Sequence, residues 1–145
     1  MSSFISCLFK CWSRNWNPEN TPYFDLKGTF VWVKCLSVYD GDTYTVAFHH
    51  DGKRYRWKCR CAGWDAPEMR TKNANEKEAA QKAKERMVEW WQSRKWVARL
   101  EIQGWDKYGR LLTHNDELKK WMFDSNLVRA YDGGHKDEWT EINLS

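Results

Sequence analysis

The sequence predicts an α+β domain in which five strands form a small barrel and two to three helices accompany it. Two observations predict this fold class. β-Branched and aromatic residues are concentrated in five short segments, and two further segments carry apolar residues at helical spacing. The chain of 145 residues is long enough for one domain with a real core. We therefore expect a domain over residues 26–145, preceded by an arm over residues 1–25.

The arm contains several Asn and Pro residues and no sustained periodicity, so no domain is predicted there. Its apolar run, Phe4 to Phe9, is too short and too interrupted for a signal peptide. We favour an arm that packs on the domain. The alternative is a tip that touches a membrane or carries lipid on Cys7 or Cys11. The five cysteines lack the spacing of a zinc site and are expected to be reduced, which predicts an intracellular protein in a cytoplasmic, nuclear or viral setting.

Three strands are predicted in the first half of the domain. The segments Thr29 to Val38 and Thr43 to His49 are rich in β-branched and aromatic residues. Asp51-Gly52 is a strong hairpin-turn signal and predicts that the third strand follows antiparallel. From Arg54 to Cys61, Lys and Arg alternate with Tyr, Trp and Cys, so one face is cationic and the other apolar. Taken alone, this pattern is typical of an ordinary half-buried strand.

The second half of the domain alternates helix and strand. Asn73 to Trp91 carries apolar residues at helical spacing and predicts one helix of about five turns. Lys95 to Ile102 and Leu111 to His114 are predicted as strands. A short helix is predicted over Leu118 to Ser125, ended by Asn126 in the left-handed conformation.

Charge and hydropathy exclude a membrane-spanning chain and permit a polyanionic partner. The formal net charge is +4, 30% of the residues are charged and the mean hydropathy is -0.88. Eleven tryptophans are unusual for this length, and most of those inside predicted elements are expected in the core or in the wall of a groove. These are Trp32, Trp57, Trp64, Trp90, Trp91, Trp96, Trp105 and Trp121.

Three polar clusters adjoin the predicted strands: residues 40–43 (Asp-Gly-Asp-Thr), Arg60 with residues 65–68 (Asp-Ala-Pro-Glu), and residues 106–110 (Asp-Lys-Tyr-Gly-Arg). Each has an ordinary explanation. Asp-Gly-Asp is a common turn in which Gly supplies positive φ, the second cluster is a helix-capping pattern, and the third is typical of a surface turn.

Jointly, the clusters fit the hydrolysis of a phosphodiester. Asp42 and Asp65 offer the hard anionic oxygens that Ca²⁺ accepts. Glu68, beyond a stiffening proline, is suited to orient or deprotonate a water. Arg60 and Arg110 are permanently charged forks that hold a phosphate and offset the charge that develops during attack.

In this order, and each following a strand, the clusters resemble those of the staphylococcal nuclease (thermonuclease) family. The similarity runs from about Thr29 to about Gly134. It implies a five-stranded OB-type barrel with helices packed on it. It also implies that Asp42, Asp65 and the main-chain carbonyl of Ala66 hold Ca²⁺, with Asp40 nearby and acting through water, and that Glu68 is the general base.

The same resemblance implies that Arg60 and Arg110 stabilise the phosphate, and that Lys107 and Tyr108 contact a terminal phosphate or sugar of the substrate. Tyr131, in a run similar to the segment after the second helix of many members, would offer a stacking face for a base. The sequence departs from the family pattern at Ala66, where a threonine is often found. We further expect the third helix of longer members to be short or missing, and no secretion signal.

The function expected from the sequence is Ca²⁺-dependent cleavage of DNA and/or RNA with little sequence preference, by a monomer. The resemblance implies that the products carry 3′-phosphate ends. Single-stranded substrate is preferred, held by phosphate contacts from Arg54, Arg56 and Lys58. The alternative is an OB-fold module that binds nucleic acid or protein without cutting it. A membrane partner is not expected, apart from the lipidated arm left open above.

Overall fold

The computed structural model describes residues 2–139; the last six residues of the domain predicted over 26–145, and Met1, lie outside the described residues. Three α-helices, one 3₁₀ helix (Ser13–Asn15) and seven strands are described. In chain order they are α1 Ser2–Trp12, β1 Phe30–Val38, β2 Thr43–His50, β3 Lys53–Cys61, β4 Trp64–Asp65, α2 Ala74–Ser93, β5 Val97–Trp105, β6 Leu111–His114, α3 Asp116–Phe123 and β7 Arg129–Ala130.

Five of the strands close into a barrel in the order β1-β2-β3-β6-β5, which confirms the predicted α+β class and is compatible with an OB fold. All neighbours are antiparallel except β3 and β6, which pair in parallel with Arg60 opposite Leu112. The sheet closes where β1 meets β5, with Phe30 opposite Glu101. The two short strands β4 and β7 form a separate pair, which the sequence did not predict.

The β2–β3 hairpin forms as predicted. Asp51 and Gly52 both take positive φ, 48° and 75°, as a two-residue turn between twisted antiparallel strands requires. Along β3, Cys59 and Cys61 are buried in the core while Arg56 and Lys58 are exposed on the outside of the barrel. Arg60 breaks this pattern, because it belongs to the outer face by alternation and is nevertheless buried.

Helix α2 covers the barrel with the predicted apolar stripe. Asn73 caps its first turn by accepting hydrogen bonds from the main-chain N–H groups of Asn75 and Glu76. Its buried face consists of Ala79, Ala80, Ala83, Met87, Trp90 and Trp91. The prediction for the tryptophans holds for Trp64, Trp90 and Trp91 and is wrong for Trp32, whose side chain is 68% exposed on the outside of β1.

Element boundaries differ from the predictions where turns intervene. β5 begins at Val97 rather than Lys95, because Lys95 and Trp96 take positive φ, 54° and 66°, which strand residues do not adopt. Helix α3 begins two residues earlier than predicted, since Asn115 caps it by accepting from Leu118 N. Asn126 has the predicted left-handed φ, 57°. Helix α1 was not predicted, because the arm was interpreted as irregular.

Candidate active site

The turn between β1 and β2 carries two buried carboxyl groups, Asp40 and Asp42. Asp40 Oδ1 accepts a hydrogen bond from Asp42 N at 3.0 Å. Gly41 between them does not take positive φ, so the prediction that glycine is needed in this turn for its positive φ is wrong. A Cβ at Gly41 would lie 2.7 Å from Cβ of Ala83 and 2.8 Å from Cβ of Ala66, so glycine is needed here to let the turn approach α2 closely.

Asp42 connects the turn to two neighbouring segments. Its Oδ1 accepts from Thr43 Oγ1 at 2.8 Å, and its Oδ2 accepts from Ala66 N at 3.0 Å. Its main-chain carbonyl accepts from Cys61 N at 2.8 Å. Asp42 is therefore fixed by three short contacts, two of them to its carboxylate, at the point where β2 begins and β3 ends.

Arg60 brings the first two predicted clusters together. Its Nη2 lies 3.0 Å from Oδ1 of Asp65 and 3.3 Å from Oδ2 of Asp42. Burial lowers the pKa of Arg60, but the charges of Asp42 and Asp65 outweigh that effect and raise it overall, so the guanidinium stays charged. The group also lies over the ring of Tyr131, 5.5 Å from its centroid.

Asp65 is fully buried and meets three cations. Besides Arg60, its Oδ2 lies 3.2 Å from Nη2 of Arg129, and its Oδ1 lies 2.6 Å from Nζ of Lys136. Arg129 is brought there by the β4–β7 pairing, in which it is the register partner of Asp65, and it packs over the ring of Trp139. Sequence reasoning missed both Arg129 and Lys136.

Glu68 joins the cluster through Lys136, whose Nζ lies 3.1 Å from Glu68 Oε1. The side chain of Glu68 is about half exposed (52%), unlike that of Asp65. Burial and the negative charges of Asp42 and Glu68 raise the pKa of Asp40 to about 7. Carboxylates thus crowd this end of the barrel enough to hinder the ionisation of one of them.

Arg110 is held differently from Arg60. Its Nε donates to Asp106 Oδ2 at 2.6 Å and its main-chain N donates to Asp106 Oδ1 at 2.9 Å. Arg110 precedes β6, two residues before the register partner of Arg60, so by alternation it lies on the same outer face. Its guanidinium contacts Asp106 rather than the Asp42–Asp65 cluster. The structure therefore gathers the first two predicted clusters and leaves the third on the neighbouring surface.

Of the remaining predicted substrate-binding residues, Lys107 and Tyr108 lie on that neighbouring surface, and Tyr131 packs against the Asp42–Asp65 cluster. Tyr108 is 72% exposed, with Nζ of Lys107 5.1 Å from its ring centroid. The ammonium of Lys136 and the guanidinium of Arg60 each lie 5.5 Å from the ring centroid of Tyr131. A cleft of about 350 Å³ opens beside the cluster. Its lining includes Asp65, Glu68, Thr71, Arg129, Lys136 and Trp139.

The donor set fits Ca²⁺ in kind. Asp42 and Asp65 place hard oxygens within 3.3 Å of one nitrogen of Arg60, so the two carboxylates converge on one point. Across residues 2–139, however, no group of three or more His, Cys, Asp or Glu side chains comes together as a metal site. The carboxylates are instead neutralised by the chain's own cations, so a bound metal would compete with Lys136 for Asp65.

Comparisons with known proteins do not assign this chain to a family. No protein-family model matches the chain. No curated protein matches it either. The structure supports a closed five-stranded barrel compatible with an OB fold, and the resemblance to staphylococcal nuclease stays a prediction from the three sequence clusters.

Proposed function

We propose that this chain is a Ca²⁺-dependent endonuclease of the staphylococcal nuclease type, which hydrolyses phosphodiester bonds of single-stranded or locally open DNA and/or RNA. One observation carries the proposal. The guanidinium of Arg60 is buried between Asp42 and Asp65, with Glu68 joined to the same cluster through Lys136. Buried carboxylates beside an arginine, at the rim of a cleft, are the groups that metal-assisted phosphate chemistry needs.

The cluster supplies the groups for an in-line attack on phosphorus. Asp42, Asp65 and the main-chain carbonyl of Ala66 would hold Ca²⁺, which when bound polarises a phosphoryl oxygen and offsets developing charge. Glu68 is accessible enough to accept a proton from water at its carboxylate. Arg60 contacts both aspartates through Nη2, which would leave its other nitrogens to donate hydrogen bonds to a phosphate.

The outer face of β3 supports binding of a nucleic acid. Arg54, Arg56 and Lys58 are exposed on the same face of the strand as Arg60, so a phosphate backbone that follows this face would lead to the cluster. The rings of Tyr131 and Tyr108 lie 5.5 Å from the guanidinium groups of the two candidate phosphate-binding arginines, Arg60 and Arg110 respectively. Stacking on aromatic rings favours unpaired bases, hence the preference for single strands.

A Ca²⁺ titration with analysis of the product ends tests this proposal. With single-stranded DNA we expect cleavage that requires Ca²⁺, stops on chelation and leaves 3′-phosphate ends, as the resemblance to staphylococcal nuclease implies. Glu68→Gln should retain Ca²⁺ binding and lose most of the cleavage, because the amide accepts no proton. Cleavage that survives chelation, or Glu68→Gln at the wild-type rate, would contradict the assigned chemistry.

A binding module without catalysis is the second candidate, and two contacts favour it. Glu68, the proposed base, is paired with Lys136, and Arg110 is paired with Asp106. Both groups are therefore engaged within the protein rather than directed at one substrate position. Salt-dependent binding of single strands with no cleavage at any Ca²⁺ concentration would identify this function.

A further inference from the structure

Helix α1 presents an apolar surface to solvent. It has 11 residues, and its large apolar side chains are between 52% and 71% exposed. They are Phe4, Ile5, Leu8, Phe9 and Trp12. The favoured prediction, an arm that packs on the domain, is therefore wrong for this segment, because the barrel does not cover these side chains. An isolated helix shorter than about 12–15 residues is marginal in water, so α1 needs a surface to stabilise it.

The helix separates polar from apolar residues. At about 100° per residue, Ser3, Ser6 and Lys10 lie together on one side. The apolar residues and both exposed cysteines, Cys7 and Cys11, occupy the remaining arc of about 200°. An arc this wide exceeds the narrow seam through which two helices pair. It fits a broad apolar phase better than a partner helix.

The charges near α1 are all positive. Lys10 and Arg14 are the ionisable basic residues of this region, and the first acidic residue is Glu19. The rings of Phe9, Trp12 and Trp16 contact one another edge to face, with centroids 5.2–6.3 Å apart. Indole rings are enriched where hydrocarbon meets lipid headgroups, and Lys and Arg are attracted to anionic lipids there.

We propose that α1 is an interfacial helix that binds the surface of an anionic lipid bilayer. The apolar arc enters the boundary of the acyl chains, and the side with Ser3, Ser6 and Lys10 faces the headgroups and water. Within residues 2–139 no helix is long and apolar enough to cross a membrane, so α1 lies on the bilayer rather than through it. This inference does not depend on the nuclease activity proposed above.

Sedimentation of the intact protein with lipid vesicles tests the proposal. We expect binding to phosphatidylcholine vesicles that contain phosphatidylserine, and weaker binding to phosphatidylcholine alone or in high salt. Phe9→Gln should weaken binding about tenfold, since it removes one large side chain from the apolar arc. Ser6→Gln introduces the same residue on the polar side and should leave binding unchanged. Equal losses in both variants, or no binding to any vesicle, would overturn the proposal.

A dye that reports polarity, attached to a single thiol, measures which side of α1 enters the lipid. In the Cys7→Ser variant the dye reacts with Cys11 on the apolar arc, and its emission should shift to the blue when anionic vesicles are added. With Cys7 and Cys11 replaced by Ser, the Ser6→Cys substitution carries the dye on the polar side, where little shift is expected. If the emission shifts to the blue as the protein concentration rises, with no lipid present, two copies of the chain pair through α1, and the proposed binding to a bilayer is refuted.

Discussion

Replacing Lys136 by methionine should make the cluster bind Ca²⁺ more tightly. The ammonium lies 2.6 Å from Asp65 Oδ1 and 3.1 Å from Glu68 Oε1, where it neutralises the carboxylates that a metal would use. Methionine keeps the length and packing of the side chain but removes its charge. Asp65 retains its contacts with Arg60 and Arg129, so the variant should still fold.

The size of the effect follows from the charges. A unit charge and a divalent ion about 4 Å apart repel by about 2 kcal/mol even at the dielectric constant of water. We use this screened value because the side chain of Lys136 is about one-third exposed (34%). That energy corresponds to about a 30-fold change in the dissociation constant. Because a flexible lysine can swing away as the metal enters, we expect a tightening of about tenfold.

Isothermal titration calorimetry of Ca²⁺ binding to the intact chain measures this change. Lys120→Met is the matched control, because it removes an ion pair of the same length, 2.6 Å to Asp124, on the surface of α3. The control should bind Ca²⁺ as the wild-type chain does. Equal dissociation constants for the Lys136 and Lys120 variants would refute the reasoning that the ammonium competes with the metal. Failure of all three proteins to bind Ca²⁺ would refute the metal site itself.

Three further predictions follow from the same contacts. Arg60→Ala should lower the turnover of single-stranded DNA by about a hundredfold or more, because a buried charged donor is lost; near-wild-type cleavage rates in the folded variant would contradict its role. Gly41→Ala should lower the free energy of unfolding, measured in urea, by about 1–3 kcal/mol, because the added Cβ would lie 2.7 Å from the Cβ of Ala83. Adding Ala83→Gly should restore part of this loss. An unchanged free energy of unfolding in the single variant would be inconsistent with the tight contact. A thiol reagent at mildly alkaline pH should modify two cysteines of the folded chain and five after denaturation, as counted by mass spectrometry. The reason is that burial raises the pKa of Cys35 and Cys59 to about 12, so these thiols stay protonated and unreactive. Rapid modification of more than two cysteines would show that the barrel opens.

The barrel was predictable because its signals are local. The Asp51-Gly52 turn and the spacing in α2 each fall within one element, and each has the predicted outcome. The alternation in β3 is also local, and it fails at Tyr55, which is 45% exposed, and at Arg60, which is buried. The convergence of Asp42, Asp65 and Arg60 also followed from local signals, since all three lie where strands begin or end. Residues at the ends of paired strands meet whenever the pairing is right.

The missed features depend on long-range contacts. Lys136 lies in a segment without periodicity, and it reaches Asp65 only because two-residue strands, β4 and β7, pair across the chain. Strands this short leave no pattern in a sequence. The ion pair of Arg110 with Asp106 was equally hidden, since two oppositely charged residues in a turn pair or separate according to side-chain rotamers. Helix α1 escaped prediction because so much of its circumference is apolar that no alternation stands out.

The parallel pairing of β3 with β6 affects how the protein folds during its synthesis. Arg60 and its register partner Leu112 are separated by the whole of α2 and β5, and Lys136 follows later still. A ribosome must therefore deliver the chain as far as Lys136 before Asp42 and Asp65 meet all of their cationic partners, and closing such distant strands is slow. We expect a shorter nascent chain to lack the complete cluster, so the RNA cleavage proposed above would not reach the messenger RNA still being translated.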